Sequence, residues 1–176
     1  KMAKVGLVQI NNSFSGQNYF PYSVGLLQAF ALKHSKNIDE FEFILPIYKR
    51  IKIDDALEQL NGADIIVFST YVWNIRLSLK IAKKLKEINP DTTIIFGGPQ
   101  VPDRPEIFLR DNPYIDIACM KEGEKAFATF LDNYDNKDWL KIPSIAYINN
   151  NGQFIETKLS ERMKDLDEIP SPYLEG

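Results

Sequence analysis

Short apolar runs rich in valine, isoleucine and phenylalanine alternate along the chain with longer stretches in which apolar residues recur at helical spacing. This alternation is typical of βαβ units, in which parallel strands are joined by helices. The runs at 64–69 and 93–97 are almost continuously apolar, as expected of central strands covered on both faces. The run at 41–45 alternates with polar residues, which favours a strand nearer an edge. The predicted strands are 5–10, 41–45, 64–69, 93–97 and 115–119.

Helical signals fill the stretches between these strands. Residues 22–35 place Val24, Leu27 and Ala31 on one face, which predicts a helix packed against the sheet. Gly62 is a good signal for the end of the second helix, and Pro90 stops the third. The predicted helices are 22–35, 54–61, 75–88, 105–110 and 122–134.

The pattern changes after residue 142. Two short strands separated by a polar, glycine-containing turn at 149–153 predict a β-hairpin over 144–156. Residues 159–176 mix charges with two prolines and are typical of an extended linker. We therefore expect an α/β domain at 1–142, a hairpin extension of it at 143–158, and a linker at 159–176.

Five βα units in series predict a doubly wound parallel sheet of the flavodoxin or Rossmann-like kind, with strand order 2-1-3-4-5 and right-handed crossovers. In such a sheet the chain reverses direction between the first and third strands, and ligands bind above the carboxyl ends of the strands at that switch point. The loops that meet there are 11–20, 70–74 and 97–102. Functional residues are expected in these loops.

Composition excludes several classes of protein. The net charge of −3 without a basic stripe argues against nucleic-acid binding. No apolar run approaches the ~20 residues that a membrane-spanning helix needs. Cys119 is the single cysteine, so no internal disulfide can form and a cytoplasmic location is expected. With His34 as the single histidine, neither a zinc site nor a Ser-His-Asp triad is available.

The switch-point loops offer the candidate binding residues. The first loop is long and polar but has neither a P-loop nor a dinucleotide fingerprint, because Gly16 is its single glycine. Hydroxyl groups at the end of the third strand precede two aromatic residues that could form the wall of a site for a flat ligand or cap the core. Gly97 and Gly98 permit close approach of a ligand to the backbone, or form a tight turn. These candidates are Asn11, Asn12, Ser13, Ser69, Thr70, Tyr71, Val72, Trp73, Gly97, Gly98 and Pro99.

Taken in order, several segments resemble the N-terminal cobalamin-binding domain of cobalamin-dependent radical S-adenosylmethionine (SAM) enzymes. That family includes methylases and anaerobic magnesium-protoporphyrin ester cyclases. Each segment alone is weakly specific, but the ordered series covers essentially the whole chain. The matching segments are 21–27, 63–69 with Asn74, Pro90 with 93–99, Asp116 with 122–124 and Phe127, and 166–172.

The resemblance implies that a corrin ring lies over the carboxyl ends of the strands, and it adds Glu122 and Gly123 to the cofactor-binding residues. It also implies a radical SAM barrel beyond the final linker, which would hold a [4Fe–4S] cluster on three cysteines and bind SAM. Many cobalamin proteins place an Asp-x-His-x-x-Gly motif after the first strand, but this chain has no histidine there. Cobalamin is therefore expected without a histidine as lower ligand.

Three hypotheses follow from the sequence: a module that presents cobalamin to a radical SAM barrel, a scaffold of the same fold without cofactor, and a flavin mononucleotide carrier. In the first, the nucleotide tail enters between the first and third strands. Asn11, Asn12 and Ser13 would then line one side, and Ser69 and Thr70 the other. A Gly98→Val change is expected to crowd this space and to leave the hydrogen bonds of the strand in place.

Overall fold

The computed structural model describes residues 2–11, 22–120 and 123–158. Within them one sheet has the strand order β2-β1-β3-β4-β5-β6-β7. The first five strands pair in parallel, and β6 is antiparallel to both β5 and β7. The predicted order 2-1-3-4-5 is therefore confirmed, with the predicted hairpin at one edge. The strands are β1 Ala3–Val8, β2 Phe41–Phe43, β3 Ile65–Ser69, β4 Thr93–Gly97, β5 Ile117–Cys119, β6 Ile145–Ile148 and β7 Phe154–Glu156.

Helices cover both faces of the sheet. Helices α1 and α5 pack on one face, against a core that includes Val67 and Ile95, whereas α2, α3 and α4 pack on the other, against Phe68 and Phe96. Alternate residues of one strand thus supply the two cores, as the strand geometry requires. The helices are α1 Tyr22–His34, α2 Ile53–Gln59, α3 Ile75–Ile88, α4 Glu106–Asp111 and α5 Glu124–Asp132, with 3-10 turns at Ile38–Glu40 and Trp139–Lys141.

The central strands behave as their apolar sequences predict. Every residue of β3 is buried, and the rings of Phe68 and Phe96 on neighbouring strands lie 4.9 Å apart. The predicted fifth strand is shorter than expected, because the Asp116 carboxylate accepts the N–H of Ile94 (2.7 Å) just before β5 begins. The Asp116 side chain therefore joins the two strands at their start, and backbone pairing joins them from Ile95 and Ile117 onward.

The C-terminal hairpin extends the main sheet. Met120 donates its N–H to Ser144 (2.8 Å), and Ser144 donates its own to Lys158 (2.8 Å). The chain is thus hydrogen-bonded into the domain as far as residue 158. In the part of the chain that the structure describes, no helix has the length and apolar character needed to cross a membrane.

Candidate functional site

A cavity of about 390 Å³ opens at the carboxyl ends of β3, β4 and β5, on the face covered by α1 and α5. Its floor begins with one small residue from each strand, Ser69, Gly97 and Cys119. An ideal Cβ on Gly97 would lie 3.6 Å from the Cβ of Cys119, so these residues are direct neighbours. The space exists because the last inward-facing row of the sheet carries small side chains.

The next row of the sheet closes the cavity from below. Val67 pairs with Ile95, and Ile95 pairs with Ile117. All three residues line the cavity, and each lies two positions before the small residue of its own strand. Because side chains two apart on a strand share a face, the small row gives way to a bulky apolar row. The side of the cavity formed by the sheet is therefore apolar.

The cavity roof comes from α1, from α5 and from the start of β6. Phe127 and Phe130 of α5 are buried, and Ile142 and Ile145 close the side next to β5. Gly123 precedes α5, and an added Cβ there would lie 3.6 Å from Leu27 of α1. Small residues thus lie on both the floor and the roof of the opening.

Gly98 permits the backbone conformation of the loop after β4. Its φ is +96°, and a Cβ added to it would lie 2.5 Å from the carbonyl oxygen of Thr70 and 2.6 Å from its nitrogen. Thr70 donates both its N–H (2.8 Å) and its hydroxyl (2.7 Å) to the carbonyl of Gly97. These two hydrogen bonds hold the loop after β3 against the loop after β4. The side chain of a Gly98→Val variant would collide with the Thr70 backbone and disturb them. Thr70 lies just after the end of β3, so the expectation that such a change leaves the hydrogen bonds of the central strand in place stays a prediction.

Asn74 ties the end of β3 to the end of β1. It is 1% exposed, and its side-chain amide donates to the carbonyls of Ile10 (3.0 Å) and Ser69 (3.2 Å). Its side-chain oxygen accepts the N–H of Tyr71 (2.8 Å). Because every one of these groups is at the switch point, Asn74 fixes the relative positions of two strand ends beside the cavity.

An aromatic pair lies at the mouth. The rings of Tyr71 and Trp73 are stacked, with centroids 4.7 Å apart and planes 8° from parallel. The indole N–H of Trp73 donates to the Ile10 carbonyl (3.2 Å), while the side chain remains 49% exposed. Tyr71 lines the cavity. The pair is a fixed, flat and partly exposed surface.

The charged groups of the cavity are acidic. Asp103 is exposed at the mouth, and Glu124, the first residue of α5, is half-buried. Burial raises the pKa of the Cys119 thiol to about 12, and the charge of Glu124 adds to the rise. Glu124 therefore lies close enough to Cys119 to act on it. Among the described lining residues none is lysine, arginine or histidine.

The structure places the candidate residues predicted from the sequence in different positions relative to the cavity. Those that line the cavity are Ser69, Tyr71, Gly97, Gly98, Pro99 and Gly123. Thr70 is fully buried beneath the loop, Val72 is 71% exposed, and Trp73 lies at the mouth without lining it. Asn11 is half-buried and donates its N–H to Tyr48 (3.0 Å). Asn12, Ser13 and Glu122 lie outside the described residues.

The cavity lies over β3, β4 and β5, which differs from the expected entry between the first and third strands. Gln9 follows β1, and its buried side chain accepts the N–H of Val24 (3.3 Å) in α1. This hydrogen bond connects α1 to the end of β1. Neither Asn11 nor Thr70 lines this cavity, and entry of a nucleotide tail between the first and third strands stays a prediction.

Sequence reasoning missed Cys119 and Glu124 as cavity residues. Cys119 ends the fifth strand and Glu124 begins the helix that follows it, and ligands bind at the carboxyl ends of the strands in this topology. Their position at or after the end of the fifth strand was the sequence signal that could have identified them as cavity residues. In the described residues, no group of three or more His, Cys, Asp and Glu side chains could hold a metal ion.

Comparison with known proteins connects this geometry to a family. The family described as the B12 binding domain matches residues 21–131. The cobalamin-dependent radical SAM methyltransferase TokK of Streptomyces tokunonensis is 32% identical over 168 residues, which is 93% of this chain and 24% of TokK. The 2-(S-pantetheinyl)-carbapenam-3-carboxylate methyltransferase of Streptantibioticus cattleyicolor is 31% identical over 160 residues, 90% of this chain and 23% of that enzyme. The chain spans about a quarter of the length of these curated relatives.

Solved structures show the same fold. The cobalamin-dependent SAM radical enzyme OxsB, with aqua-cobalamin and SAM bound, superposes with a TM-score of 0.75 at 20% identity. The match covers 97% of this chain and 24% of OxsB. The radical SAM methyltransferase TsrM from Kitasatospora setae, with cobalamin and a [4Fe-4S] cluster bound, has a TM-score of 0.67 at 15% identity, over 97% of this chain and 31% of TsrM.

Proposed function

Because the chain belongs to the B12-binding domain family, we propose that it binds cobalamin and presents it to a radical SAM domain of the same protein for methyl transfer. The observation that carries the proposal is the cavity at the carboxyl ends of β3, β4 and β5. Its volume of about 390 Å³ lies within the range of small-molecule sites, roughly 300–1,000 Å³. Its relatives TokK and OxsB are both named as cobalamin-dependent enzymes.

The residues of the site fit a corrinoid with a nucleotide tail. The apolar interior, entered over Ser69, Gly97 and Cys119, suits a flat heterocyclic base. The fixed Tyr71–Trp73 pair at the mouth suits the edge of a large planar ring. When bound, cobalamin supplies a cobalt centre that can accept a methyl group and pass it on.

We assign no lower cobalt ligand to this chain. Its single histidine, His34, is exposed at the last residue of α1, and its ring contacts Phe30 at 4.3 Å between centroids. Affinity for cobalamin would then come from ring contacts and from the enclosed tail. The [4Fe–4S] cluster and SAM belong to the partner domain in this proposal, because a cluster takes several thiolates and the chain has one cysteine.

Titration with hydroxocobalamin and with flavin mononucleotide, followed by visible absorption, tests the proposal. We expect saturable binding of hydroxocobalamin and none of the flavin. Binding of the flavin alone would instead indicate a flavin carrier. Binding of neither would indicate a scaffold that has kept the fold without the cofactor.

Variants of the site connect binding to the cavity. Gly97→Leu fills the floor and should lower cobalamin affinity by roughly 5- to 150-fold, the equivalent of ~1–3 kcal/mol of overpacking. Trp73→Ala should weaken binding by removing the indole at the mouth, and circular dichroism should show an intact fold. His34→Ala is the control and should bind like the parent. Loss of binding in the histidine variant, with unchanged binding in the other two, would contradict this site.

A further inference from the structure

Glu124 is the half-buried carboxylate of a cavity that is otherwise mostly apolar. One of its carboxylate oxygens is buried, and its charge acts on the neighbouring Cys119 thiol. Any group that fills the cavity therefore lies against a wall that includes both residues. An ionised carboxylate can only accept hydrogen bonds, and its two oxygens accept several, so existing partners leave room for a ligand donor.

Corrinoids differ in the base at the end of the nucleotide tail. Dimethylbenzimidazole, the base of cobalamin, has no N–H or O–H group when it is attached to its ribose. Adenine, the base of a natural analogue, carries an amino group with two donor hydrogens. A base without a donor would bury Glu124 further and return no hydrogen bond, which is costly for a charged group.

We propose that Glu124 makes the cavity selective for corrinoids whose tail base carries a hydrogen-bond donor, such as adenine, over those that carry dimethylbenzimidazole. The inference rests on the proposed corrinoid function and specifies which corrinoid the site prefers. Asp103 also lines the cavity, but it is exposed at the mouth, where water competes for its oxygens. We therefore attribute the preference among tail bases to Glu124 and not to Asp103.

The test compares three probes on the same protein: cobalamin, its adenine-tailed analogue, and cobinamide, which has no nucleotide. Dissociation constants come from absorption titrations and calorimetry. We expect the adenine-tailed corrinoid to bind at least about tenfold more tightly than cobalamin, because one hydrogen bond to a charged group contributes at least about the 1.4 kcal/mol that a tenfold change requires. Cobinamide should bind more weakly than either, because it leaves the cavity empty.

Two variants assign the preference to the carboxylate. In Glu124→Leu the preference for adenine should disappear, and in Glu124→Gln, which keeps the shape and one acceptor oxygen, it should fall. Asp55→Asn is the matched control, since it removes an exposed carboxylate from the first turn of α2 on the other face of the sheet. Circular dichroism confirms folding of each variant.

The outcomes separate this inference from the proposed function. Equal binding of the two nucleotide-bearing corrinoids, tighter binding of cobalamin, or a preference that persists in Glu124→Leu overturns the selectivity and leaves corrinoid binding in place. Cobinamide affinity equal to that of the other two overturns the placement of the tail in the cavity. Failure of every corrinoid to bind overturns the proposed function together with the inference.

Discussion

Gly97 and Gly98 are neighbours in sequence but are constrained by different parts of the protein. A Cβ on Gly97 would make an ordinary contact with Cys119 and would face the cavity. A Cβ on Gly98 would overlap the backbone of Thr70, and its φ of +96° is one that L side chains rarely adopt. Gly97 therefore leaves open space in the cavity, and Gly98 determines the conformation of the loop that borders this space.

We expect Gly98→Ala to destabilise the folded protein by about 1–3 kcal/mol, because the new methyl group meets backbone atoms that cannot rotate away. Gly97→Ala should change stability much less and should affect corrinoid affinity. Urea unfolding followed by circular dichroism measures the first effect, and corrinoid titration the second. A Gly98→Ala protein as stable as the parent would contradict the close contact with Thr70.

Cys119 offers a prediction about pH. Because its pKa is raised from 9.0 to about 12, the folded protein keeps the thiol proton through an interval in which the unfolded chain loses it. Stability should therefore fall as the pH rises through that interval. We expect alkylation of the native protein by iodoacetamide to accelerate about tenfold per pH unit between about pH 8 and 11, as the thiolate fraction grows.

The urea-unfolded chain is the control for this measurement. Its alkylation rate should level off near pH 9, the ordinary range for an exposed thiol. Mass spectrometry of the single cysteine gives both rates. A native rate that levels off at the same pH as the unfolded one would show that the thiol is not enclosed.

At the residue level, the sequence predicts the floor of the site better than its walls. Ser69 and Gly97 end continuously apolar runs, so their place at the strand ends could be predicted. The position of Cys119 at the end of the fifth strand could be predicted, but its contact with Gly97 depends on the register of β4 and β5. Thr70 has a hydroxyl suited to a ligand, yet the structure turns it onto the Gly97 carbonyl. Such outcomes depend on three-dimensional pairing that a linear pattern does not contain.

At the scale of elements, Lys86 of α3 fastens the helix to the starts of β4 and β5. Its ammonium group donates to the Asp116 carboxylate (2.7 Å) and to the Thr92 carbonyl (2.6 Å). Burial raises the pKa of Asp116, while the hydrogen bonds from Lys86 and from the N–H of Ile94 oppose the rise. Lys86 therefore offsets part of the cost of burying this charge.

Lys86→Met should destabilise the protein by about 1–3 kcal/mol near neutral pH, because it leaves the Asp116 carboxylate with fewer donors. The pKa of Asp116 should rise further in the variant. Since protonation removes the buried charge, the difference from the parent should shrink as the pH falls through that raised pKa.

Lys83→Met, on the exposed side of the same helix, is the matched control and should stay within about 0.5 kcal/mol of the parent. Urea unfolding at several pH values measures both variants. An equal loss of stability in the two proteins would show that the Lys86 contact contributes nothing specific.

The element-level pattern was the most predictable part of the fold. Continuous apolar runs placed β3 and β4 at the centre, and the alternating run placed β2 at an edge, as the structure confirms. The strand ends were harder to place, because tertiary contacts decide them. Val8 and Gln9 pair with Ile47 after β2, for example, and Asp116 replaces part of the ladder before β5.

At the scale of the whole molecule, the hairpin forms part of the cavity wall. Ile145 lines the cavity, and β6 covers the outer edge of β5. We propose that the binding unit comprises residues up to 158 and that 159–176 connect it to a further domain.

A chain that ends at residue 158 should therefore keep the thermal midpoint of the parent and its corrinoid affinity within about twofold, because the hydrogen bonds of the hairpin remain. A chain that ends at residue 142 should lose both, since the edge of β5 and one wall of the cavity are exposed. Calorimetry and corrinoid titration measure the two properties. Loss of binding in the longer chain would place part of the site in 159–176.

The orientation of Trp73 has an optical consequence. Its indole is stacked on Tyr71 and fixed by its hydrogen bond to Ile10 at the mouth of the cavity, whereas Trp139, the second of two tryptophans, packs against Tyr147. Corrinoids absorb light in the range where tryptophan emits, so a bound corrinoid should quench the fluorescence of Trp73 by energy transfer. In a Trp139→Phe protein, the remaining emission would report occupancy of the site directly and in real time.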